Sequence, residues 1–247
     1  MLIKGSIENI YIGCGEINAS DRIVNGNKAK HNSIPWQVAL VLKGKEKPFC
    51  GGTIICSKFI MTAAHCIDKD KKGLTSNLFM MPGEFQIVAG EYDWTVYSSQ
   101  FLSAPKNLHA SWHDIKNIAV HPKYGGLGPK FDYDYAIIEL IEPIKLTGDS
   151  KARAACLPDP TTDIDYPDGT KFVVGGWGPL AGNYGDPYRK LHNVTVHAIS
   201  DAKCDTKHEF KAHFSERMHC VGNLQNGAVY DTCHGDSGGK AQKKLII

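Results

Sequence analysis

Three side-chain types in this sequence could act together on a carbonyl carbon: a serine, a histidine and an aspartate. The serine is Ser237, within Asp231-Thr232-Cys233-His234-Gly235-Asp236-Ser237-Gly238-Gly239. Glycines this close to a serine allow backbone conformations that a side chain would block, and they bare the amides around Ser237. Bared amides receive negative charge, so the stretch reads as a nucleophile beside an oxyanion hole. Gly235 to Gly239 also fits G-x-S-x-G, the nucleophile elbow of another fold, in which the acid and the histidine follow the serine. No histidine follows Ser237 here, so its partners lie upstream. Met61-Thr62-Ala63-Ala64-His65-Cys66 supplies His65, and Asp132-Tyr133-Asp134-Tyr135-Ala136-Ile137-Ile138 supplies two aspartates. The order along the chain is His, Asp, Ser.

Asp132 and Asp134 compete for one role. At the start of an alternating strand they face the same side, but only Asp134 directly precedes the apolar run at 136–140. His109 and His113 are spaced as zinc ligands on a helix would be, yet the Glu of H-E-x-x-H is missing between them and Pro105 opens the stretch. The aromatic residues do not interleave with a basic stripe, which leaves nucleic-acid binding without support.

The elements that must position these residues read as β structure. From Pro35 on, short runs rich in Val, Ile, Phe and Tyr alternate with Gly, Pro, Asn and Asp. They predict strands at 36–42, 52–55, 85–89, 115–121, 136–140, 172–175, 191–199 and 218–221. Only 200–207 reads as a short helix, opened by Ser200 or Asp201 as cap. Many short strands and almost no helix predict an all-β sandwich or barrel. The lysine-rich and then apolar loop at 68–82 (ending Leu78-Phe79-Met80-Met81) reads as a surface insertion.

A chain of 247 residues can form one large or two small domains with a real core. A net charge of +2 gives no reason to invoke nucleic acid or a membrane surface. Eight cysteines at varied spacing, without paired C-x-x-C motifs, suit disulfides better than zinc and argue for an oxidising compartment. The sequons Asn18-Ala19-Ser20 and Asn193-Val194-Thr195 agree. Residues 1–12 hold no apolar run of signal-peptide length, so the start reads as incomplete rather than cytosolic, and no apolar stretch is long enough to span a membrane.

The sequence resembles the chymotrypsin-like (trypsin-family) serine proteases from about Cys14 to Gly239. Four stretches in the family's order carry the resemblance: Ile23-Val24-Asn25-Gly26 after Arg22, Thr62-Ala63-Ala64-His65-Cys66, Asp134-Tyr135-Ala136-Ile137, and Gly235-Asp236-Ser237-Gly238-Gly239. The resemblance implies two six-stranded antiparallel barrels with the active site between them, the first at about 23–141, the second at about 159–247, with a crossing segment at 142–158. It implies Ser237 as nucleophile, His65 as base, Asp134 as the orienting carboxylate by motif register, and the amides of Gly235 and Ser237 as oxyanion donors. Asp231 falls at the base of the family's P1 pocket, where a carboxylate favours Arg or Lys. By residue type alone it reads equally as a solvated loop charge. Residues 1–22 read by length as a tail. The resemblance makes them a leader cut at Arg22-Ile23, after which the new amine of Ile23 pairs with Asp236. An α-amine of pKa about 8 is charged at neutral pH, and a buried carboxylate without that partner is costly.

The resemblance further implies the disulfides Cys50–Cys66, Cys204–Cys220 and a leader tether Cys14–Cys156, each contributing about 3–5 kcal/mol in the loop-closure picture. Cys56 and Cys233 are left over. No cofactor and no metal are implied. The implied partners are protein or peptide substrates with Arg or Lys at the cleavage site, an activating protease and protein inhibitors, all extracellular. The chain departs from the family after Gly239, where a proline and an apolar strand are expected. It reads Lys240-Ala241-Gln242-Lys243-Lys244 and stops at Ile247. With three clear strands after residue 158, the second barrel is expected to be incomplete, and this truncated chain poorly stable and nearly inactive. Lys240 and the missing pocket wall also suit a different class, a non-catalytic homologue that binds or regulates partners.

Overall fold

The computed structural model describes residues 14–15, 33–69, 78–94, 110–125, 131–148, 150–158, 166–178, 190–200, 215, 218–222 and the backbone of 241–243. The first sheet is built from β1 (Gln37–Leu42), β2 (Pro48–Cys56), β3 (Phe59–Thr62), β4 (Phe85–Ala89), β5 (Ser111–His113), β6 (Ile115–Val120) and β7 (Ala136–Leu140). One turn of helix, α1 (Ala64–Ile67), follows β3. The second sheet holds β8 (Lys171–Gly176), β9 (His192–Ile199), β10 (Cys220–Gly222) and β11 (Ala241–Lys243).

The first sheet runs β5-β4-β1-β2-β3-β7-β6, with every neighbour antiparallel. Its two outer strands, β5 and β6, are separated only by Asp114. They are two limbs of one bent strand, one paired with β4 and the other with β7, so the sheet curls round on itself as a six-stranded barrel. Alternation follows: β3 and β7 bury every second residue. Val38, Leu40, Ile54, Ile60, Phe85, Ile87, Ile138 and Leu140 have essentially no exposure and fill the interior. Gly52 lies where a Cβ would come within 3.0 Å of Val38 and Ile60 side-chain methyls. A side chain there would force its neighbours to give way by a few tenths of an ångström.

The second sheet is ordered β10-β9-β8-β11. Phe172, Val174, Val196 and Ala198 form its small core. Three strands were expected after residue 158; the fourth, β11, pairs with β8 from Ala241 opposite Val174 to Lys243 opposite Phe172. Its polar sequence hid it, because the pairing uses backbone groups that every residue carries. Between the sheets, Trp94 meets Trp112 and Trp177 edge-on at 6.2 and 6.1 Å. Asp93 pairs with Lys190 at 3.2 Å in the same region.

The crossing segment binds to the first barrel through Ile144 N–H to Ser57 O, Arg153 N–H to Pro35 O and Ala155 N–H to Ile54 O. Cys14 is bonded to Cys156, and Gly15 N–H donates to Ala154 O, which ties the leader to this segment. Cys50 is bonded to Cys66, Cys220 is in a disulfide, and Cys56 is a free thiol. Cys204 and Cys233 lie outside the described residues, as does the expected helix at 200–207 beyond Ser200. The described ends of the loop at 68–82, expected at the surface, are partly drawn in: Asp68 bridges to Phe79, and Phe79 and Met80 pack on the barrel core. No helix among the described residues is long and apolar enough to cross a membrane.

Candidate active site

The pairing of β3 with β7 brings the histidine and the aspartate together. Thr62, the last residue of β3, stands opposite Ala136, the first of β7. The chain leaving β3 and the chain entering β7 therefore emerge at the same end of the barrel. His65 lies just beyond the first and Asp134 just before the second. Thr62 Oγ1 donates to Gly51 O at 2.8 Å, and Cys66 is bonded to Cys50. Both fix α1 to β2 on either side of His65.

Asp134 holds His65 at two points. Its Oδ1 accepts the His65 backbone N–H at 2.8 Å, and its Oδ2 lies 2.6 Å from His65 Nδ1. A carboxylate only accepts, so Nδ1 is the donor in this bond, and in the neutral ring that leaves Nε2 as the acceptor. The side chains remain 30% and 20% exposed, so the imidazole can reach a substrate. That arrangement fits a general base whose ring is held in a fixed orientation.

Asp132 does not share this site. It is buried, and its Oδ1 accepts the Tyr133 N–H at 3.0 Å and the Ser215 O–H at 2.9 Å. The expected alternation fails because Phe131 and Tyr133 take left-handed backbone, with φ of 68° and 54°. Tyr133 turns the chain between the aspartates and Phe131 turns it just before the first, so the two carboxylates leave in different directions. Left-handed aromatic residues have no sequence signal, and sequence reasoning missed both. It also missed the Phe131 ring, which lies edge-on to the His65 ring with centroids 5.5 Å apart.

Ser237, Gly235, Asp236, Asp231, Arg22 and Ile23 lie outside the described residues. His109 does as well. His113 is buried, with Nε2 2.8 Å from Ser111 Oγ and Nδ1 3.3 Å from Glu142 O. Burial pushes its pKa below the ordinary imidazole value, against the opposing pull of the Glu142 carbonyl. Both ring nitrogens thus have protein partners, which suits a neutral structural histidine. Cys50, His65 and Cys66 bring potential metal-ligating atoms within 4.8 Å of one another. The two sulfurs are bonded to each other, however, so neither is a thiolate that a metal would need.

Residues 23–242 match the trypsin family. The chain is 31% identical over 229 residues to the mouse protein transmembrane protease serine 11C, covering 92% of this chain and 46% of that protein. It is 29% identical to mouse mannan-binding lectin serine protease 1, covering 96% of this chain and 32% of that one. The chain thus spans less than half the length of either relative. Among solved structures it is similar to neuropsin, a serine protease expressed in the limbic system of mouse brain. That similarity has a TM-score of 0.67 and 25% identity, and covers 91% of this chain and 84% of the other. An all-β fold with one closed barrel and a second sheet agrees with that likeness. On the family match and the shared sequence, this chain belongs to the trypsin family of serine proteases.

Proposed function

We propose that the chain is a secreted serine endopeptidase, made as a zymogen and activated by cleavage at Arg22-Ile23, that cuts after Arg or Lys. The observation that carries the reading is the two-point bond between Asp134 and His65. In this reading Ser237 Oγ attacks the scissile carbonyl while His65 Nε2 takes its proton. The carbonyl oxygen becomes an oxyanion held by the amides of Gly235 and Ser237. The proton on His65 passes to the leaving amine, and water then repeats the sequence on the acyl-enzyme. Asp134 keeps the proton on Nδ1 throughout and stabilises the imidazolium. Asp231 at the pocket base supplies the preference for a basic side chain.

The tether supports the zymogen part. Cys14 precedes Arg22 and is bonded to Cys156, so a leader cut at Arg22 stays attached. Ile23 is then free to fold inward toward Asp236. The disulfides themselves favour an oxidising, extracellular setting.

A fluorophosphonate tests the reading. Ser237 Oγ would displace fluoride from phosphorus and lose its proton to His65. We expect one label, on Ser237, faster after cleavage at Arg22 and abolished in His65→Ala. A cleaved chain that takes no label would support the second reading, a non-catalytic homologue, which Lys240 in place of the family's proline favours.

A further inference from the structure

One turn behind the catalytic pair touches both chain segments that carry it. The turn follows β6 and runs from His121 to Tyr124. His121 N–H donates to Tyr135 O at 3.1 Å, which extends the β6–β7 ladder one step past Val120 and Ala136. The turn is closed by its own first residue: Tyr124 N–H donates to His121 O at 3.0 Å, and Lys123 N–H donates to His121 Nδ1 at 3.2 Å.

The His121 ring lies against both neighbours of Asp134. It stacks on Tyr133 with centroids 4.6 Å apart and planes 5° apart, and it meets Tyr135 at 4.7 Å and 46°. Lys123 Nζ sits over the Tyr133 ring at 5.3 Å. Tyr135 N–H donates to Tyr133 O at 2.8 Å, so Asp134 is the apex of a three-residue bend. The same ring therefore spans the two ends of the bend that presents the carboxylate.

At the other end of the turn, Tyr124 Oη donates to Asp68 Oδ2 at 3.4 Å. Asp68 is buried and directly follows α1, the helix turn that carries His65. Burial first, then the negative charges of Asp134 and Asp68, push the Tyr124 phenol well above its ordinary range, so it stays a donor. The turn thus meets the aspartate's segment on one side and the histidine's on the other.

We propose that His121 and Tyr124 are positioning residues of the active site, a clasp that sets the separation of His65 and Asp134 by gripping Tyr133 and Tyr135 at one end and Asp68 at the other. The inference rests on the protease reading above. Its physical basis is that misplacing a reacting group by about 1 Å costs on the order of a hundredfold in rate.

The test compares two substitutions that part the ring from the acceptor. His121→Phe keeps the stack and drops the Nδ1 acceptor; His121→Gln keeps an acceptor and drops the ring. Fluorophosphonate labelling of Ser237 is followed against pH on the cleaved chain. We expect His121→Gln to slow labelling roughly tenfold to a hundredfold. Its acid midpoint should also differ from the wild type's, because the carboxylate that faces His65 Nδ1 at 2.6 Å would be displaced. His121→Phe should recover most of the rate with the wild-type midpoint. Tyr124→Phe, which loses only the bond to Asp68, should slow labelling about threefold. A purely structural role would lower the amount of labelled protein without moving the midpoint. If His121→Gln matches the wild type, or if His121→Phe is the variant that slows and shifts, the clasp is overturned. If the wild type itself takes no His65-dependent label on Ser237, the protease reading falls and the clasp with it.

Discussion

Replacing Asp134 by Asn removes one charge while preserving shape, and the two bonds to His65 set the size of the effect. Asp134 uses one oxygen for the His65 backbone N–H at 2.8 Å and the other for Nδ1 at 2.6 Å. An asparagine has only one oxygen. If that oxygen keeps the backbone N–H, an NH2 group faces Nδ1 and can only donate. The ring must then accept at Nδ1 and carry its proton on Nε2, where it cannot take one from Ser237. If the amide turns over, the ring keeps its tautomer but the backbone N–H faces another donor, at a cost of about 1–3 kcal/mol. In either case the imidazolium formed during the reaction loses its counter-charge. At about 3.5 Å and an effective dielectric constant near 20, that interaction is worth up to about 5 kcal/mol. With the side chains 30% and 20% exposed, we take a smaller share, about 3 kcal/mol. The two effects amount to roughly 5 kcal/mol, three to four decades of rate at about 1.4 kcal/mol per decade. The assay is the second-order rate constant for fluorophosphonate labelling of the cleaved chain, with kcat and KM for an arginyl amide alongside. The loss should fall on labelling and kcat, with KM changed less than about threefold. A loss below tenfold would refute the role given to Asp134.

Four further outcomes follow from other parts of the structure. Ser215→Ala should destabilise the fold by about 1–3 kcal/mol in denaturant melts, because Asp132 is buried and loses a donor, while Ser237 labelling stays within about threefold of wild type. Gly52→Ala should lower stability by about 1–3 kcal/mol, read as a fall of several degrees in Tm, since the new Cβ would meet Val38 and Ile60 at 3.0 Å and the Met61 carbonyl at 3.2 Å. His113 has a lowered folded pKa, so the unfolded chain binds its proton first as pH falls. Stability should therefore drop from about pH 6.5 downward and level off below the folded value, and His113→Asn should flatten that slope in melts across pH. After cleavage at Arg22 the leader should stay with the chain in non-reducing mass spectra, and Cys14→Ser should release it.

Strong apolar runs bounded by turn residues were legible in the sequence. The strands at 85–89 and 136–140 stand where the alternation puts them. Phe59–Thr62 was missed because Ser57 and Lys58, which separate it from β2, give no glycine or proline signal. Ser111–His113 was missed because Asp114 interrupts the run, although that bend is what closes the barrel. The pairing of His65 with Asp134 was legible from the motifs, while Ser237 lies outside the described residues. The choice between Asp132 and Asp134 needed the motif register, because the left-handed backbone at Phe131 and Tyr133 overrides simple alternation. The stack of His121 on Tyr133 and Tyr135 was not legible, since it depends on β6 lying beside β7.

The antiparallel register that sets Thr62 against Ala136 also dates the appearance of the His65–Asp134 pair during biosynthesis. A chain leaving the ribosome presents His65 long before Asp134, and for that interval the imidazole has no fixed orientation. Distant strand pairs are slow to form, since the intervening chain must be closed into a loop first. The pair of His65 and Asp134 therefore forms only once β3 and β7 have come together. Hydrogen exchange on the β3 and β7 amides should report the loss of that pair as a single opening event.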